Sequence, residues 1–196
     1  MKVLAPVATA GAAWFAAIIA YRGLNKWRAE TIGKRKAELA EQALVAFYEA
    51  RDVFVLVRSR GLFGGEGDSR TPTGGESKTQ QEKRNTYFIP IERLTRHKEV
   101  FARLQTLRYA FAAQFGEAAR QPFDALWSVH GEISSSASVL IQMTLDDDRQ
   151  DDRQDALLNK IGWGTGTRPD DMDHKIEKAV QDIEKVCRPV LAGTAK

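Results

Sequence analysis

The chain has 196 residues, 43% of them hydrophobic, enough for one domain with a real core, which excludes disorder throughout. Its formal charge of +3 is small and unevenly placed: six basic residues against one acid between positions 22 and 36, and six Asp against two Arg between 146 and 155. The single cysteine, Cys187, excludes an intrachain disulfide and a zinc site built on several thiolates, and it reads as a buried thiol near a helix end.

Residues 3–21 carry no charge. A helix of that length spans roughly 28 Å, close to the hydrocarbon thickness of a bilayer at about 30 Å. The pattern predicts a transmembrane anchor over residues 1–21, carried by Val3, Leu4, Trp14, Phe15, Ile18, Ile19 and Tyr21. Pro6 falls in the first turn, where a missing N–H is tolerated. A cleaved signal is the competing reading, with Ala8 to Ala10 as the small-residue site, but the strongest apolar run follows that site rather than preceding it. A soluble or interfacial helix would have to be apolar on every face and then turn polar without a cap.

The basic residues Arg22, Lys26, Arg28, Lys34, Arg35 and Lys36 follow at once, opposed only by Glu30. Beside an apolar span they predict contact with anionic lipid headgroups and, by retention of Lys and Arg on the inner side, a single-pass protein of the cell membrane. Its N-terminus would lie outside and its helical domain in the cytoplasm. Nucleic acid is not expected as a partner, because Trp27 is the one nearby aromatic and the acidic stretch offsets the field.

Residues 22–60 then read as a basic juxtamembrane segment and a first long helix. Ala40, Ala43, Phe47, Ala50, Phe54 and Val57 recur at spacings of three and four, the mark of one buried face, with Leu39 and Leu44 widening it. Such a helix also suits a coiled coil. Residues 61–86 hold six Gly and a Pro with little apolar content and read as a flexible loop. Within it, "GGESKT" is too far from a phosphate-binding loop: Lys78 lacks its preceding glycine and no strand leads in.

Residues 87–188 carry the remaining helices. One is expected from about Pro90 to Phe115, with Leu94, Phe101, Leu104, Phe111 and Phe115 on a face. A second covers residues 121–145, with Phe123, Leu126, Trp127, His130, Ile133, Ala137, Leu140, Ile141 and Thr144 in a stripe. Asp170 or Asp171 caps a last helix on Met172, Ile176, Val180, Ile183 and Cys187, which Pro189 stops before a tail over residues 189–196. The fold class is therefore all-α, an N-terminal transmembrane helix followed by an antiparallel bundle of about four helices.

Chemistry is thinly signalled. His97, His130 and His174 fall on three different helices and could converge on a metal, but no Glu-x-x-His pair accompanies them. The repeat "DDRQDDRQ" lacks the glycine and terminal glutamate of a calcium loop and reads as a solvated helix end. Neither a Gly-x-Ser-x-Gly elbow nor a partner for Cys187 is present. No catalytic residue, metal or cofactor is assigned. The functional expectation is a membrane-anchored interaction or scaffold protein, contacting membrane lipid and a protein partner or a second copy of itself. The alternative is a membrane-tethered metal-binding or enzymatic bundle.

Overall fold

The computed structural model describes residues 4–61, 63–143 and 152–193. Among these residues the chain is all-α, with six α-helices: α1 (Leu4–Val57), α2 (Lys78–Arg96), α3 (Lys98–Phe115), α4 (Gln121–Gln142), α5 (Asp152–Lys160) and α6 (Asp171–Leu191). A single 3-10 turn, Glu117–Arg120, links α3 to α4.

The first helix is one continuous rod of 54 residues, about 81 Å long. Its C-terminal third packs against α6, α3 and α2, and α4 packs against α2, α5 and α6, so α1 and α4 carry most of the bundle. The expected face of α1 is the buried one: Ala40, Ala43, Phe47, Ala50, Phe54 and Val57 are fully buried, joined by Ala46. Four alanines on that face let neighbouring helices approach closely, and the phenylalanines fill the wider levels. Phe47 meets Phe123 edge-on at 4.8 Å, and Phe54 lies 5.3 Å from Phe101. Each such ring contributes about 1.5–3 kcal/mol through burial. The Cys187 thiol sits in this core and burial pushes its pKa up to about 12, the behaviour of an inert packing residue.

Among the described residues no helix is long and apolar enough to cross a membrane. That finding overturns the expected anchor over residues 1–21, the single-pass membrane placement and the orientation with its N-terminus outside and the bundle cytoplasmic. The physical reason lies in composition: eleven of residues 4–21 are Ala, Gly, Pro or Thr, which contribute little to insertion, and Arg22 follows at once. Val3 lies outside the described residues, and the unbroken helix carries Trp14, Phe15, Ile18, Ile19 and Tyr21 directly into the charged residues that follow.

Other boundaries also differ from expectation. The helix expected near Pro90 begins at Lys78, because Ser77 and Gln80 form a capping box: the Ser77 Oγ accepts from the Gln80 amide at 3.3 Å, and the Gln80 side chain accepts from the Ser77 amide at 3.0 Å. The expected single helix is broken at His97, whose backbone leaves the helical region and separates α2 from α3. The α6 start is as expected, with Asp170 accepting from the Met172 and Asp173 amides. Pro189 lies within the last turn of α6 rather than ending it.

Candidate interaction surface

The most unusual surface follows from α1 itself. From Trp14 to Arg35 every described side chain is exposed, and burial begins only at Lys36, whose ammonium lies 5.7 Å over the Phe115 ring. About 33 Å of helix, residues 14–35, thus extends past the bundle as an arm. It displays Trp14 (74% exposed), Phe15, Ile18, Ile19, Tyr21, Leu24, Trp27 (62%) and Ile32. Such side chains normally drive burial, so their exposure along one helix marks a surface that wants a partner.

Five of the six expected lipid-contacting residues sit on the same arm, and Lys36 sits at its base. Arg22, Lys26, Arg28, Lys34 and Arg35 are exposed, Lys36 is half-buried, and Lys26 pairs loosely with Glu30 at 3.8 Å. The basic side chains point to several sides of the helix, which advances about 100° per residue. Polarity is therefore ordered along the arm, apolar toward the tip and basic toward the bundle.

The bundle end opposite the arm is built by buried arginines that carried no sequence signal. Arg58, fully buried, donates to the carbonyls of Asn159 (2.9 Å) and Lys160 (3.1 Å) and to the carboxylates of Asp170 (2.5 Å) and Asp173. It thereby caps the last carbonyls of α5, where a cation is favoured by the helix dipole. Arg93 does the same for α1, donating to the carbonyls of Leu56 and Ser59 (2.8 Å each) and Gly61 and to the Glu66 carboxylate (2.6 Å). The Arg93 hydrogen bonds hold the Glu66 carboxyl below its ordinary range despite burial. Arg70 makes a forked pair with Glu76 and donates to Asn85 at 2.9 Å, while Arg84 reaches Glu76 at 2.8 Å. The hydrogen bonds from Arg70, with those from the Thr73 amide and Arg84, outweigh burial and hold Glu76 well below the carboxylate range.

These contacts change the reading of the glycine-rich segments. Residues 61–86 are expected to be a flexible loop, yet α2 takes up residues 78–86, and before it Arg70, Glu66 and Glu76 have buried side chains tied to α2. In "GGESKT" the Glu76 carboxylate is taken up by the guanidinium of Arg70. At Gly162, φ is +82° and a Cβ would collide with the Arg58 carbonyl, so only glycine lets the loop after α5 lie against the end of α1. Trp163 closes the same joint by donating to the Ser59 carbonyl at 3.2 Å.

The histidines are not brought together. His97 marks the α2–α3 break, His130 stacks on Trp127 at 5.1 Å and meets Phe101 edge-on at 4.7 Å, and His174 lies in the first turn of α6. Burial lowers the His130 pKa, keeping the imidazole neutral. No group of three metal-binding side chains assembles among the described residues. Trp127, expected in the core stripe, is 46% exposed and edges a groove of about 330 Å³ with Ile91, Leu94 and Phe101. Most of the acidic repeat, positions 146–151, and Thr144 lie outside the described residues; Asp152 and Asp155 supply the acidic first turn of α5.

No family model, no curated protein and no solved structure matches this chain.

Proposed function

We propose that the chain is a helical interaction or scaffold module, a latched bundle that serves as a rigid base for a projecting docking helix. One observation carries this reading: the same helix that is buried from Ala40 onward leaves a run of large apolar and aromatic side chains exposed over residues 14–32. Among the described residues the arm's side chains make no core contact, so they do not serve the stability of the bundle, whose core begins at Ala40. An isolated helix of this kind gains little from propensity alone and draws its order from what it packs on.

The test is positional cross-linking in cells. A photoreactive side chain at Ile18 or Ile32 should capture a partner or surface, whereas the same group at Val45 or Val55, equally exposed apolar positions on the bundle, should not. Equal capture from both regions would overturn the reading.

A further inference from the structure

We propose that the arm docks on an anionic lipid surface, its apolar tip entering the headgroup boundary and its basic residues lying against the headgroups; this rests on the reading of the arm as a docking element. The assignment is surface contact and requires no crossing of the bilayer.

Two features select this occupant. The first is the order of chemistry along the helix. Trp14, Phe15, Ile18, Ile19 and Tyr21 are exposed and precede Arg22, Lys26, Arg28, Lys34 and Arg35. A lipid surface presents the matching order with depth: acyl chains and glycerol region below, phosphate and carboxylate groups above. Trp14, Tyr21 and Trp27 are amphipathic rings of the kind that reside at that boundary.

The second feature is charge. A second copy of the chain would bring six basic residues against six, with only Glu30 on each arm to offset them, and like charges at such spacings repel. A coiled-coil partner also needs an unbroken apolar seam: Trp14, Ile18, Tyr21 and Ile32 share one side of the helix, but Asn25 and Arg28 interrupt it, and Phe15, Ile19, Leu24 and Trp27 lie on other sides. A nucleic acid would satisfy the basic residues but leave the apolar tip in water. Only an anionic lipid surface accounts for both halves.

The experiment uses the full chain and sedimentation with vesicles of phosphatidylcholine, alone or mixed roughly three to one with phosphatidylserine. Binding should be strong to the mixed vesicles and weak to the neutral ones. Each basic residue near such a surface strengthens binding about fivefold, so replacing Arg22, Lys26, Arg28, Lys34, Arg35 and Lys36 together with Gln should lower partition by roughly 100-fold or more. Replacing Trp14, Phe15, Ile18 and Ile19 with Gln should abolish binding to both vesicle types. Thermal unfolding of the bundle should be unchanged in the tip variant and nearly unchanged in the charge variant, where Lys36 alone touches the bundle, over the Phe115 ring.

Equal binding to neutral and mixed vesicles, or binding indifferent to either variant, overturns the proposal. So does retention on duplex DNA that is lost in the charge variant and kept in the tip variant. If vesicles are not bound but removal of residues 1–35 converts an oligomer to a monomer in light scattering, the lipid assignment fails while the arm stands as a docking element. If neither vesicle binding nor association depends on the arm, both readings fail.

Discussion

Arg58 Nη2 donates to Asp170 Oδ2 at 2.5 Å, so the residue that follows the first helix holds the residue that caps the last. Between them lie the rest of the bundle and both glycine-rich segments. The same guanidinium caps α5, which makes Arg58 a point where three helix ends converge.

That convergence predicts a large stability loss on Arg58→Met. The change removes the buried cation from two carboxylates and two helix-end carbonyls, although Asp173 keeps Arg168 and Asp170 keeps its cap amides, and breaking a buried pair in this way costs about 3–5 kcal/mol. Arg51→Met, at a partly exposed pair with Asp52, should shift stability by less than about 0.5 kcal/mol. Urea unfolding of the two variants checks the contrast, and equal small effects would show that the latch contributes little.

The latch also predicts acid sensitivity. Burial opposes ionisation of Asp173, but hydrogen bonds from Arg168 and the Asp170 amide, with the charges of Arg58 and Arg168, bring its pKa from 3.8 to about 2. A carboxyl lowered on folding stabilises the protein fully above its ordinary value, and that contribution is lost as pH falls from about 4 through about 2. Asp173→Asn should therefore be less stable at neutral pH and show a shallower decline across that window. An acid limb as steep as that of the unaltered protein would contradict the assignment.

His130 should act in a second window. Burial lowers its pKa below 6.5, so the unfolded chain takes up a proton more readily than the folded one. Stability from this residue is present above about pH 6.5 and falls as pH drops below it. His130→Asn should flatten the pH dependence of thermal unfolding between about pH 7.5 and 5.5, and an unchanged slope would assign that dependence elsewhere.

Limited trypsin should separate the arm from the pinned loop. Residues 22–35 lie on a helix without tertiary support, where local opening is easy, whereas Arg70 is buried and held by Glu76 and Asn85. Early fragments in a mass-spectrometric time course should begin after Arg22, Lys26, Arg28, Lys34 or Arg35. Cutting at Arg70 before these sites would return residues 61–77 to a flexible loop.

The glycine-rich segment shows where local signals sufficed and where they did not. Ser77-Lys78-Thr79-Gln80 is a capping box legible in the letters, and it could have placed the start of α2; density of glycine obscured it. The break at His97 has no comparable mark, since Arg96, His97 and Lys98 are all compatible with a continuing helix.

By itself the sequence determined the helical class, the buried face of α1 from Ala40 to Val57, and a cap at Asp170 or Asp171, because a helix's period and its first turn are set by residues within a few positions of one another. Only the tertiary structure decided that Arg58, Arg70 and Arg93 are buried, because their partners lie on other segments of the chain and an arginine beside a glycine-rich loop otherwise reads as solvated. It decided the fate of the N-terminal stretch for the same reason. Whether Trp14, Ile18 and Ile32 meet a core or stand exposed depends on which helices reach them, and in this fold the packing begins beyond them.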